Sequence, residues 1–171
     1  MLEITIYSIG GQGGVTAARL LALSALYDGK YSQAIPQFGP ERRGALVTSY
    51  VRISDKIIRK HSRIRNPDIT VIFDAKSGVN VVSKMVIVNS NSNVLQFEQA
   101  EKTWYVDATK IAFDLDLIKE GLPIINTAMV GAVAKVCDLS LDSVKKAIME
   151  EIKDERNVKA AEIAYEVVKC Q

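Results

Sequence analysis

The 171 residues make one domain of ordinary size, 1–171, long enough to bury a core without disulfide or metal support. Hydrophobic residues at 48% and charged residues at 25% stand at the globular average and exclude a disordered chain. The 22 basic and 20 acidic residues leave a net charge of +2, too balanced for a nucleic-acid-binding or membrane-surface protein with a concentrated basic face.

Leu2 to Ile9 alternates and then turns apolar, as a strand does, and Gly10-Gly11-Gln12-Gly13-Gly14 follows as a tight turn. From Val15, apolar residues recur at Ala18, Ala22 and Leu26 with helical spacing, and Asp28-Gly29-Lys30 ends that helix. Strand, glycine turn and helix open a βαβ unit. Tyr31 to Ile35 reads as a second strand ended by Pro36. Leu46 to Ile53 reads as a third strand, turning through Ser54-Asp55-Lys56 into Ile57 and Ile58 as an antiparallel edge hairpin.

Ile69 to Phe73 and Met85 to Val88 are short β-branched runs of the kind found in buried parallel strands, and Trp104 to Val106 is another. Asp107 and Ala108 lead into a helix expected to reach Ile118. Asn126 is placed to cap a helix over Thr127 to Val136. Ser140 caps a helix carrying Leu141, Val144, Ile148 and Ile152, with Asp142 at the positive end of its dipole, and a last helix is expected from Arg156 to Lys169. The fold class is therefore α/β, with a mainly parallel sheet, helices and an antiparallel edge hairpin.

A glycine turn between strand and helix aims backbone N–H groups at one place, where the helix dipole favours a phosphate or carboxylate. A dinucleotide site fits poorly, because G-x-G-x-x-G counted from Gly11 needs glycine at Thr16, and from Gly10 it needs glycine at Gln12. The second strand ends in Ala34-Ile35-Pro36-Gln37, without the acidic residue that holds an adenine ribose. No Lys-Ser or Lys-Thr follows the glycines, so the P-loop is excluded. An anion site and a purely structural turn both remain open. The loop Phe38-Gly39-Pro40-Glu41-Arg42-Arg43-Gly44 is likewise open. It reads as a solvated loop, or as one whose two guanidinium groups grip a partner or a phosphorylated ligand.

His61, the sole histidine, stands among Arg59, Lys60, Arg63 and Arg65 and reads as a surface residue with no triad near it. No nucleophile elbow, zinc motif or paired carboxylates appear. Cys137 and Cys170, far apart, read as reduced thiols of a cytoplasmic protein and are too few for a four-cysteine cluster. No secretory signal or membrane span is expected.

Four stretches, in register along nearly the whole chain, resemble one family. They are Gly10 to Ala18; Gly29 to Ala34 with Phe38 to Ala45; Asn126 to Ala132; and Asn157 to Ala160. The family is the gamma subunit, or gamma domain, of 2-oxoacid:acceptor oxidoreductases. The resemblance implies a Rossmann-like three-layer domain with helices on both sheet faces and no dinucleotide. It implies alpha, beta and delta partner chains that carry thiamine diphosphate, magnesium and iron–sulfur clusters, with ferredoxin as acceptor and no cofactor bound by this chain alone. It also implies a position near the path of coenzyme A, a substrate of the complex. Gly11, Gln12, Gly13, Gly14, Arg42, Arg43 and Asn126 become candidate coenzyme A contacts, the rival role being an interface with the alpha chain. The Pro40 to Ala45 run and Asn157 to Ala160 look closest to the pyruvate and branched-chain versions, and pyruvate is favoured over 2-oxoisovalerate and 2-oxoglutarate. A stand-alone Rossmann-like nucleotide-binding protein is the alternative of another class.

Overall fold

In a computed structural model the protein is described over residues 1–37, 44–92 and 96–171. The chain runs β1 (Leu2–Ile9), α1 (Gly14–Tyr27), β2 (Tyr31–Pro36), β3 (Leu46–Ser54), β4 (Ile69–Ile72), β5 (Met85–Asn89) and β6 (Lys102–Val106). It continues through α2 (Ala108–Asp114), β7 (Ile118–Lys119), β8 (Leu122–Pro123), α3 (Asn126–Val136), α4 (Leu141–Glu151), α5 (Glu155–Val167) and β9 (Lys169–Cys170). The large sheet has the order β2-β3-β1-β4-β5-β6-β9, and β7 and β8 form a separate small hairpin. Strands β1, β4, β5 and β6 are parallel, and antiparallel strands extend the sheet at both ends.

Strand alternation decides which side carries the core. The register sets Ile4 beside Val51 and Ile69, and Ile6 beside Val71, which in turn neighbours Ile87. All six stand on one face. Leu20 and Leu21 of α1, Met129 and Val133 of α3, and Val144 and Ile148 of α4 close over them. Each aliphatic side chain buried there contributes about 1.5–3 kcal/mol. On the other face Ile72, Val86 and Val88 meet Phe97, Ala100 and Tyr105. Among the described residues, that third layer is made of irregular chain, whereas the helices gather on the first face.

Toward β3 the second face turns polar, and Arg52, fully buried, lies between Glu3 and Gln33 in register. A buried guanidinium is tolerated only when paired and fully hydrogen-bonded. Its Nε donates to Glu3 Oε1 (2.8 Å), and Nη1 to Gln33 Oε1 (3.1 Å) and the Lys60 carbonyl (3.3 Å). Nη2 donates to the Ser62 carbonyl (2.5 Å), and Lys60 Nζ adds a bond to Glu3 Oε1 (3.0 Å).

Four expectations need correction. The edge hairpin pairs β3 with β2, not with Ile57 and Ile58, because β1 and β2 already occupy both edges of β3. The helix after Asp107 stops at Asp114, not Ile118. Asp116 takes a left-handed φ of 55°, and Leu117 N then donates to the Ala112 carbonyl (2.8 Å), which turns Leu117 into the core. The last helix stops at Val167, because Lys169 and Cys170 extend to pair with Tyr105 and Trp104. Asn126 is the first residue of α3 and not its cap, although its Oδ1 still accepts from Thr127 N (2.9 Å). Among the described residues no helix is long and apolar enough to cross a membrane.

Candidate functional site

The glycine turn lies where β1 hands over to α1. Gly10 N donates to the Ala45 carbonyl (2.8 Å), anchoring the turn to the start of β3. Gln12 folds back on the strand end: its N donates to the Ile9 carbonyl (3.0 Å) and its Oε1 accepts from Ile9 N (2.7 Å). Gly11 and Gly13 have φ of 95° and 80°, a region that costs a residue with a Cβ about 1–2 kcal/mol. Space is also short, since a Cβ on Gly14 would lie 2.1 Å from Ser8 Oγ. The first turn of α1 carries no acidic residue, so its N–H groups and dipole are not countered locally.

A cavity of about 1140 Å³ opens above this turn, slightly larger than usual small-molecule pockets. It occupies the carboxyl ends of the parallel strands, where open α/β sheets bind ligands. Ser8 and Ile9 end β1, Phe73 and Asp74 follow β4, and Asn89 ends β5. The β7–β8 hairpin covers it with Lys119, Leu122 and Pro123, and Asn126 closes the side at the start of α3. Asn89 laces three elements together: Nδ2 donates to the Phe73 carbonyl (3.1 Å) and Thr109 Oγ1 (3.0 Å), while Oδ1 accepts from Thr109 N (3.3 Å). Asp74 Oδ1 accepts from Lys76 N (2.9 Å), fixing the turn after β4. The charged lining of the described cavity is one cation, Lys119, with the carboxylates of Asp74 and Glu120.

Gly11, Gln12, Gly13, Gly14 and Asn126, the candidates read from the sequence, come together on one wall of this cavity, with Gly44 beside them. Arg42 and Arg43 lie outside the described residues. Ser8, Asp74, Asn89, Thr109 and Lys119 were not among the candidates. Asp74 and Asn89 carried a usable signal, being polar residues at the ends of apolar parallel strands.

His61 is exposed and away from the cavity, its Nδ1 lying 3.3 Å from Gln33 Nε2. Cys137 and Cys170 are both free thiols, and burial pushes the Cys137 thiol up to about 12. A four-cysteine iron–sulfur cluster does not fit this pair. Among the described residues no three of His, Cys, Asp and Glu gather as metal ligands do.

The chain matches the family described as Pyruvate ferredoxin/flavodoxin oxidoreductase over residues 3–167. It is 47% identical to the Pyruvate synthase subunit PorC of Methanocaldococcus jannaschii, over 96% of both chains. It is 45% identical to the Pyruvate/ketoisovalerate oxidoreductases common subunit gamma of Thermococcus kodakarensis, again over 96% of each. Among solved structures it is similar to the pyruvate oxidoreductase subunit PORC of Thermotoga maritima, with a TM-score of 0.81, 31% identity and coverage of 99% of this chain and 98% of that one.

Proposed function

The chain belongs to the pyruvate ferredoxin/flavodoxin oxidoreductase family, and from that premise we propose that it works as the gamma subunit of a pyruvate:ferredoxin oxidoreductase. The observation that carries this is the 47% identity, over 96% of both chains, to a protein named as a pyruvate synthase subunit. In this reading residues 1–171 act as one domain, in a complex with alpha, beta and delta chains. The complex converts pyruvate and coenzyme A to acetyl-CoA and carbon dioxide, passes two electrons to ferredoxin, and runs the reverse synthesis. Thiamine diphosphate, with magnesium, and the iron–sulfur clusters supply decarboxylation and electron transfer from the partner chains.

The contribution of this chain is binding. The glycine turn, the start of α1 and Lys119 together offer N–H donors and a cation to an anionic ligand in the cavity. The phosphates of coenzyme A suit that surface, and Asp74 and Glu120 restrict where on the wall they settle. Arg42 and Arg43 belong to the same proposal through the sequence, as contacts to coenzyme A or to the alpha chain.

A 2-oxoisovalerate enzyme is the second reading, favoured by the relative named as common to pyruvate and ketoisovalerate oxidoreductases. A chain shared by two substrates does not hold the pocket that tells them apart. Affinity purification of the tagged chain from its native cells, grown anaerobically, tests the proposal. Recovery with a thiamine diphosphate-binding pair, a ferredoxin-like chain and coenzyme A-dependent pyruvate oxidation supports it. Recovery alone, with a bound nucleotide, supports the stand-alone binder instead.

A further inference from the structure

The strand after α1 ends without a carboxylate, but β2 is not the parallel neighbour of β1. That neighbour is β4, in register from Ile4 with Ile69 to Tyr7 with Ile72, and Phe73 N donates to the Tyr7 carbonyl (3.0 Å). Asp74 therefore stands one strand spacing, about 4.8 Å, from the chain that enters the glycine turn. Nucleotide-binding sheets hold a ribose with a carboxylate of this kind, at the carboxyl end of a parallel strand near the glycine turn. Asp74 is half-buried and lines the cavity. Its Oδ1 accepts from Lys76 N (2.9 Å), and its Oδ2 meets no donor among the described residues.

The glycines miss the dinucleotide spacing yet perform the tasks that spacing serves. Gly11 and Gly13, at φ of 95° and 80°, make the turn, and no atom stands within 4 Å of a Cβ placed on Gly11. Gly14 allows the close approach of helix to strand at Ser8. Gly13 supplies no side-chain cap, so the first N–H groups of α1 are left for another acceptor. A second donor stands at the same place. Asn126 is 7% exposed, and its Oδ1 is taken by Thr127 N. Its Nδ2, 2.6 Å from a Cβ position on Gly13, donates to nothing among the described residues. Buried amide donors are rarely left without an acceptor, and a phosphate oxygen between α1 and Asn126 satisfies both sets of donors.

We infer that the cavity takes a nucleoside diphosphate whose ribose keeps both hydroxyls. Its phosphates lie on the first turn of α1 and Asn126 Nδ2, and its diol on Asp74. The nucleotide competes there with coenzyme A, a consequence that rests on the reading of the cavity given above. Coenzyme A carries a phosphate on the ribose 3′ oxygen. The Asp74 carboxylate accepts a hydrogen bond from a hydroxyl at that position and repels a phosphate. A diphosphate lacking that group is the better fit to this wall, and its accumulation slows the use of coenzyme A.

The test titrates ADP, 2′-deoxy-ADP and 3′-phospho-ADP calorimetrically into the purified full-length chain and into its Asp74→Asn and Asn126→Asp variants. Both substitutions keep the oxygen that accepts from Lys76 N or Thr127 N. ADP should bind saturably, and the other two should bind about 10-fold or more weaker. Asp74→Asn should erase the preference for ADP over 3′-phospho-ADP, and Asn126→Asp should weaken all three. No binding of ADP, or equal affinity for ADP and 3′-phospho-ADP, would overturn the inference. The wild-type series decides this even where a variant fails to fold. In the assembled enzyme ADP should raise the KM for coenzyme A and leave kcat unchanged. ADP binding to the chain without that effect would leave the nucleotide site standing and sink the coenzyme A reading of the cavity. Binding of coenzyme A but not ADP would do the reverse.

Discussion

Gly13 and Asn126 meet at the wall of the cavity: a Cβ on Gly13 would lie 2.6 Å from Asn126 Nδ2. The contact ties the turn that opens α1 to the first residue of α3, and so sets the width of the cleft between them. Gly13→Ala is expected to cost about 1–2 kcal/mol for the left-handed backbone, plus the overlap with Asn126. Gly11→Ala should cost the strain alone, since nothing stands within 4 Å of its Cβ position. Thermal unfolding of both variants, and of Gly13→Ala combined with Asn126→Ala, checks this. The second substitution should recover part of the loss, as coupled neighbours do.

Gly131 presents the same problem between helices. Helix propensity alone favours alanine there by about 1 kcal/mol. A Cβ at Gly131 would, however, lie 2.0 Å from the Ala161 carbonyl oxygen, a backbone atom that moves only if α3 and α5 separate. Overpacking of this kind costs about 1–3 kcal/mol, so Gly131→Ala should lower the urea midpoint despite its better propensity.

The opening β1–turn–α1 was legible because strand alternation, glycines and helical spacing are local signals. The Ser140 cap was legible for the same reason, and its Oγ accepts from Ser143 N (3.2 Å) as expected. What was not legible depends on contacts distant in sequence. Ile57 and Ile58 look like a strand until β3 is seen to be paired on both sides. Leu115, Leu117 and Ile118 extend an apolar pattern that stops being helical at Asp116, whose left-handed φ no spacing announces. In the site, the glycine turn and Asn126 were readable, but the hairpin that brings Lys119 over the cavity was not.

Arg52 should be the most sensitive polar residue. Arg52→Met leaves Gln33 Oε1 and two carbonyls without their donor and Glu3 with Lys60 alone, at an expected cost of about 3–5 kcal/mol. Acid stability should follow. Burial alone would raise the Glu3 carboxyl, but hydrogen bonds from Arg52 and Lys60 outweigh it and hold the group below its ordinary 4.5. A carboxyl lower in the folded than in the unfolded chain adds stability above 4.5, which is lost as pH falls through the folded value. Urea midpoints measured across that range should fall toward acid in the wild type and fall less in Arg52→Met.

Arg43→Ala in the assembled enzyme separates the two roles proposed for Arg42 and Arg43. A raised KM for coenzyme A, with normal assembly and unchanged KM for pyruvate, is the outcome expected of a coenzyme A contact. Failure to assemble is the outcome expected of an interface with the alpha chain.

Reconstitution tests the central claim most directly. Partner chains prepared without this subunit would be assayed for coenzyme A-dependent reduction of ferredoxin by pyruvate, before and after adding the purified chain. The subunit account predicts little activity without it and recovery that saturates at one chain per set of partners. Full activity in its absence, or no binding of the added chain, would contradict it.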